Sequence, residues 1–450
     1  MIERILNILK EDTRLYGWNV REIETNSYQL FFIKQELDMN REVLTTEFEV
    51  TIFVKQGNQL GKSKFVIPNE ATDTEIKAKL DEQISYCSFT LAKMYNLPKK
   101  YNLKPTEKPL NMFDNHSLKE AAFIVADALF EADKYVNTYI NSSEIFINCE
   151  ANRYYDSNGN EFVYVRNYGE VELVITGRYI ETDSEREERL RKGIAFSNYE
   201  EVEIYKFFTF ASLDSDYIRK MANQQLLDAT DRAKAIKMPK TNINKILLTG
   251  DAVVEFFKYF CNKANVSNIY SNASKVTVGT NLLANAPRAD KIDIRMEVSL
   301  KNSTKCIPFD EDGVTLKKSH IIDNGVVRNL WGPSDKAQYL NKPVNGIYKN
   351  IVVQGGSLTD ENLEDENYIE VKKFSIFSID SITGTFGSEI RLGYIHERGK
   401  DPIVISGGSV SGSVKASLSN LRFSKELEQQ DNFLGPKYVL LDNVTFSKGE

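Results

Sequence analysis

At 450 residues the chain is long for a single hydrophobic core and is expected to fold as two or three compact units. Hydrophobic residues at 41% and charged residues at 27% describe a globular protein, not a disordered one. With 57 basic against 64 acidic residues, a net charge of -7, the chain lacks the basic excess of proteins that work on the phosphate backbone, so nucleic acid is not an expected partner.

The opening residues, MIERILNILKEDTRLYGW, are charged and carry no continuous apolar run, unlike a signal peptide. Ile2, Ile5, Leu6 and Leu9 fall on one face of a first helix. Extended segments are expected at Tyr28–Ile33, Glu47–Lys55 and Lys62–Ile67. Thr72-Asp73-Thr74-Glu75 reads as a capping box, and Ile76, Leu80, Ile84, Cys87, Leu91 and Met94 then recur at helical spacing. A basic, proline-bearing linker, Leu97 to Pro109, follows. Ser117-Leu118-Lys119-Glu120 is a second capping box, opening a helix that buries Leu118, Ala122, Val125 and Leu129. The apolar run inside it, Ala121 to Phe130, is too short to span a bilayer, so no membrane partner is expected. Strands are expected at Glu144–Ala151, Glu161–Arg166 and Glu170–Ile175, the first two joined by the turn Asp156-Ser157-Asn158-Gly159. A charged helix near Glu185–Lys192, a Phe-rich strand Ile204–Phe210 and a long helix Ser215–Ile236 come next.

Lys237 to Asn244, with Pro239, is the expected hinge. A strand Ile246–Leu248 then feeds a helix capped by Thr249, and beyond about residue 275 the chain is short strands and Gly, Asn and Asp turns. The fold class is α+β. An N-terminal α/β layered domain, residues 1–236, has a mixed sheet and packed helices, with possible units at 1–105 and 106–236. A C-terminal antiparallel, barrel-like β-rich domain occupies 237–450.

Most chemical motifs dissolve on inspection. Gly57 to Ser63 is one residue short of a phosphate loop and runs into an extended, proline-stopped segment, where such a loop must open a helix. Asp310, Asp312 and Gly313 lack the glycine and glutamate positions of a calcium loop. Ser406 to Ser413 is rich in hydroxyls but has no strand–nucleophile–helix frame. The histidines, His116, His320 and His396, include no pair at helical spacing, and His396-Glu397 lacks the second imidazole of a zinc-peptidase motif. His320 has no partner that would make it catalytic. Cys87, Cys149, Cys261 and Cys306 are scattered, as expected of reduced thiols in a cytoplasmic protein.

One stretch is more specific. Pro308 to Leu330, PFDEDGVTLKKSHIIDNGVVRNL, reads as a turn at Asp310-Glu311-Asp312-Gly313 and a type I′ hairpin at Asn324-Gly325. This segment resembles the core of the TldD/PmbA family, once called modulators of DNA gyrase and seen as peptide-processing proteases. Asn152 to Gly177, Lys245 to Phe260, Gly355 to Thr385 and Ser409 to Leu418 resemble further family segments in the same order. The metal-bearing members carry a His-Glu-x-x-x-His motif on the helix after the first C-terminal strand. Here that helix, Gly250 to Cys261, contains no histidine, and Glu255 and Cys261 share a face poorly. The chain is therefore similar to the PmbA/TldE kind.

The resemblance implies a non-catalytic subunit of a TldD/TldE-type metallopeptidase complex acting on peptides or unfolded segments. The chain would have no catalytic residue, metal ligand or cofactor of its own, and zinc is expected only in a partner subunit. It would form a heterodimer with that TldD-like subunit, or a homodimer. Asp310, Asp312, Gly313 and Gly325 are then structural markers. A peptide could add to the β domain as an extra strand, with Thr383, Gly384, Phe386 and Gly387 as its lining. The alternatives are a homodimeric peptide-binding or scaffold protein without peptidase activity, and a hydrolase with an unrecognised site.

Overall fold

The computed structural model describes residues 1–101, 113, 116–194 and 201–448, so residues 102–109 of the expected linker lie outside the described residues. The N-terminal part contains α1 (Ile2–Glu11), β1 (Gly17–Ile33), β2 (Glu36–Gln56), β3 (Gln59–Ile67), α2 (Asp73–Tyr86), β4 (Ala92–Lys93), α3 (Leu118–Ala132), β5 (Thr138–Asp156), β6 (Glu161–Arg178), α4 (Asp183–Arg191), β7 (Glu201–Phe210) and α5 (Ser215–Ala233).

Both expected capping boxes are present, at Thr72/Glu75 and Ser117/Glu120, each with side chain and backbone bonded reciprocally. α1 buries Ile5, Leu6, Ile8 and Leu9, and α2 buries Ile76 and Leu80, against Trp18, Val20, Phe48 and Ile52. α3 and α5 cover the other half of the same face. The apolar stripe beyond Ile84 does not continue the helix. α2 ends at Tyr86, Cys87–Phe89 forms a tight 3₁₀ turn, and the Thr90 hydroxyl donates to the Lys62 carbonyl at 2.7 Å. α5 likewise stops at Ala233, and Ile236 belongs to a strand.

The strands run as one seven-stranded sheet in the order β4-β3-β2-β1-β5-β6-β7. Every pairing in it is antiparallel, so the sheet is not mixed. The β1–β5 ladder joins segments on both sides of residue 105. Its strands are far longer than their apolar segments. β1 and β2 pair from Gly17↔Phe53 to Ile33↔Glu36 around a turn with Lys34 at φ 56°, and a bulge interrupts them at Phe31/Phe32. Residues such as Arg21, Glu24 and Glu42 extend because their backbone is paired, with no apolar face of their own to bury.

The C-terminal part contains β8 (Ile236–Lys237), β9 (Ile246–Thr249), α6 (Asp251–Lys263), α7 (Val266–Tyr270), β10 (Ile294–Glu297), β11 (Ser319–Asp323), β12 (Val326–Val327), α8 (Ser334–Tyr339), β13 (Asn350–Val353), α9 (Asp360–Glu364) and β14 (Tyr368–Phe374). It continues with β15 (Thr385–His396), β16 (Ile403–Ser406), β17 (Ser409–Ser413), α10 (Val414–Ser417), β18 (Arg422–Phe423), β19 (Leu427–Gln430), β20 (Phe433–Pro436), β21 (Tyr438–Leu441) and β22 (Thr445–Ser447).

Two open sheets form. One has the order β12-β11-β10-β13-β20-β19. The other runs β18-β21-β9-β14-β15-β16-β8, with β17 on β15 and β22 on β17. The α+β class holds. The region is not barrel-like, however, and not purely antiparallel, because β13–β20, β9–β14 and β8–β16 are parallel. Parallel neighbours need long crossovers, and here the chain returns through α6 and the other sheet between β9 and β14.

The large C-terminal core centres on α6. It also takes Tyr154, Phe162 and Tyr164 from the end of the first sheet, whose rings lie 5.7, 5.0 and 5.4 Å from that of Phe309. Among the described residues no helix is long and apolar enough to cross a membrane.

Candidate functional site

α6 occupies the position where the sequence comparison looks for a metal motif. It starts at Gly250, φ 57°, without a side-chain cap. Thr249 does not cap it, since its hydroxyl donates to the Val371 carbonyl at 3.0 Å. Phe256, Phe257 and Phe260 are buried, and Phe257 packs on Phe423 and Phe433 with centroids 5.4 and 6.1 Å apart. Glu255 is ion-paired to Lys258 at 2.9 Å. Cys261 is 1% exposed, and burial pushes its thiol up to about 12, which keeps it protonated at neutral pH. A catalytic zinc needs three deprotonated protein ligands converging on one point. Two outward carboxylates, Glu255 paired to Lys258 and Asp251 facing Lys206 at 3.4 Å, and one buried thiol, with no imidazole on the helix, do not fit that ion.

The turn after Pro308 is built around Asp310, which is 2% exposed. Its Oδ1 accepts the amides of Asp312 (3.1 Å) and Val314 (2.9 Å), and its Oδ2 accepts that of Ile347 (2.9 Å). Burial, then the neighbouring charge of Asp312, push the carboxyl up to about 7, against the pull of those amides. Gly313 sits at φ 81°, and a Cβ there would lie 2.3 Å from the Tyr154 hydroxyl, which donates to the Asp312 carbonyl. Only glycine satisfies both constraints. Asn324 and Gly325, at φ 50° and 82°, make the type I′ turn between β11 and β12.

This turn forms one wall of a cleft of about 290 Å³ between the first sheet and the C-terminal segment at Pro333 to Lys336. The charges lining it answer one another. Arg21 and Lys64 reach Glu49 at 2.8 and 3.1 Å, and Lys62 reaches Asp312 at 3.1 Å. Lys64 also lies 3.7 Å from Glu311, so each charge named has an opposite neighbour, and the Lys62–Asp312 pair ties the two regions together.

Two of the three histidines have side-chain partners. His396 stacks on Tyr368 at 4.5 Å and bonds Glu370 at 3.2 Å. His320, expected to stand alone, lies with Nε2 2.9 Å from Asp293 Oδ2, and with Asp323 these groups place potential ligand atoms within 4.8 Å of one another. The β10–β11 pairing brings Asp293 to His320 across the sequence, which no local spacing signals. Asp323 is already held by Arg328 at 2.8 Å and by the Asn324 amide at 2.8 Å. His116 is exposed just before α3.

The residues expected to line a peptide strand are only partly together. Thr383 and Gly387 are exposed, while Gly384 and Phe386 are buried, Phe386 against Phe377 at 5.7 Å. Thr383 caps the turn by donating to Asp380 at 2.7 Å. Both sides of the strand are occupied. β17 pairs along Thr385↔Ser413 to Glu389↔Ser409 on one side. Ile379 bridges to Phe386, and the Ser375 amide reaches the Glu389 carbonyl at 3.0 Å, on the other.

Residues 241–448 match the family described as PmbA/TldA metallopeptidase C-terminal domain. Three solved structures share the fold over nearly the whole chain. One, from Thermotoga maritima and called a modulator of a DNA gyrase, is 15% identical with a TM-score of 0.74, covering 99% of this chain and 99% of its own. TldE from Thermococcus kodakarensis is 14% identical with a TM-score of 0.74, covering 99% and 100%. A Bacteroides thetaiotaomicron protein, also called a modulator of DNA gyrase, is 16% identical with a TM-score of 0.70, covering 99% and 97%. No curated protein matches the sequence.

Proposed function

We propose that the chain, whose residues 241–448 match the PmbA/TldA metallopeptidase C-terminal domain, is the metal-free subunit of a TldD/TldE-type metallopeptidase complex acting on peptides or unfolded segments. The observation that carries this reading is α6. Its inward face is filled by Phe256, Phe257 and Phe260, its two outward carboxylates, Asp251 and Glu255, are paired to Lys206 and Lys258, and its thiol is buried. A helix packed in this way serves as a core element. The zinc of the complex would then be held by the other subunit.

The test is to purify the chain alone and with a metal-bearing sibling, and to measure zinc per chain together with hydrolysis of an unfolded peptide. The expected result is substoichiometric zinc and no hydrolysis for the chain alone, with activity in the pair. Stoichiometric zinc with activity in the isolated chain overturns the proposal. A sibling fully active on its own and indifferent to this chain favours the homodimeric peptide-binding or scaffold reading instead.

A further inference from the structure

β2 is 21 residues long, but β3 covers only part of its outer side. The β2–β3 ladder runs from Phe48↔Ile67 to Gln56↔Gln59. From Glu36 to Glu47 the inner side of β2 is paired with β1, and among the described residues no strand lies on its outer side. Beyond Ile67 the chain turns away at Pro68, whose carbonyl accepts the Ala71 amide at 3.1 Å. The result is an open slot along one edge of the sheet, closed at one end by β3.

A free edge of this length presents outward N–H and C=O groups that only another extended chain can satisfy in series. Its side chains are not purely protective. Leu37, Met39 and Leu44 are 43%, 44% and 69% exposed. Glu36, Asp38, Glu42 and Glu47 stand against a single cation, Arg41, which bonds Gln29 at 2.5 Å and lies over the Phe31 ring. The edge is therefore acidic with apolar footholds.

We infer that the outer edge of β2, from Glu36 to Glu47, binds an extended peptide carrying basic and apolar residues as an added strand. A second copy of this chain is a poor occupant. Two-fold antiparallel pairing centred on Arg41 or Glu42 opposes like charges at the axis. Centred on Asn40 it sets Asp38 against Glu42, and centred on Met39 it sets Glu36 against Glu42. Registers centred nearer Glu47 drive the second hairpin into the place held by β3. A single peptide strand meets none of these obstacles. The site lies on the first sheet, whether or not the chain works beside a metal-bearing subunit.

The probe is a fluorescein-labelled octapeptide alternating Lys and Val with blocked ends, titrated by anisotropy against the full chain. Two more versions carry N-methyl groups on the odd or on the even amides. Saturable binding is expected, and one methylated version is expected to fail while the other binds, because an added strand turns every second N–H towards its neighbour. The double variant Glu42→Lys, Glu47→Lys, checked for native circular dichroism, is expected to bind roughly tenfold more weakly. Absence of binding by the unmethylated probe, equal binding of both methylated versions, or indifference to the charge reversal overturns the inference. So does displacement of the probe by a metal-bearing subunit, which assigns the edge to the subunit interface. Zinc content and peptidase activity do not enter this test, so its failure is separable from failure of the metal-free reading of α6.

Discussion

The two ends of the seven-stranded sheet are made from the same strands and meet opposite surroundings. At one end Tyr154, Phe162 and Tyr164 are 1%, 2% and 8% exposed, and they enter the C-terminal core around Phe309. At the other, β2 from Glu36 to Glu47 is mostly exposed and, among the described residues, paired with a strand on one side only. Backbone pairing alone suffices to extend the chain at the open end. A second layer of apolar side chains is what makes the first end rigid and places the Asp310 turn against the sheet. A buried polar seam adds to that layer: Lys373 on β14 bonds Gln225 at 2.5 Å and faces Asp228 at 3.5 Å, both on α5.

The comparison can be broken most strongly at the joined end. Phe309→Ala removes the ring on which three aromatic side chains pack, and urea denaturation is expected to show a loss of about 3–5 kcal/mol. Asp228→Ala leaves the Lys373 ammonium, whose pKa burial already lowers, without its counter-charge, and is expected to cost about 3 kcal/mol by the same measurement. Asp310→Asn keeps one acceptor but turns an amide NH₂ towards the Ile347 N–H or its counterparts. A loss of about 2 kcal/mol is expected, with a wild-type fold by circular dichroism.

Acid supplies a gentler probe. Burial raises the pKa of Glu366, but bonds from Lys245 and Arg422 outweigh it and hold the carboxyl below its ordinary value. A depressed carboxylate contributes stability that is present above the unfolded pKa, about 4.3, and lost as pH falls through the folded one. The melting temperature is therefore expected to fall below about pH 4.3, and Glu366→Gln is expected to flatten that decline. The smallest effect belongs to the open end. Leu44→Ser is expected to change stability by no more than about 0.5 kcal/mol. Outward amides of Glu36 to Glu47 are expected to exchange with deuterium well before those of β5. Slow exchange along this edge would show that it is covered.

Much of the architecture was legible because its signals are local. The capping boxes at Thr72 and Ser117 involve residues three apart, and Asn324-Gly325 specifies its turn by steric tolerance alone. The absence of histidine from α6 was equally plain, since residue types are read directly. Other features had no local signal. Glu36 to Glu47 carries too little apolar alternation to mark a strand, and it extends because β1 pairs with it. The stripe through Cys87, Leu91 and Met94 kept helical spacing although the helix stops at Tyr86. His320 found Asp293 only through the β10–β11 ladder, and the strand at Thr385 to Glu389 lost its open edge to segments on both sides.

By itself the sequence determined the capped starts of α2 and α3, the tight turns, the α+β composition and the side chains of α6, because each rests on the stereochemistry of a few neighbouring residues. Tertiary structure alone decided how far the strands run, which edges are covered, and that the first sheet shares a core with the C-terminal domain. Those outcomes depend on pairings between residues far apart in the chain, whose free energy no local window contains.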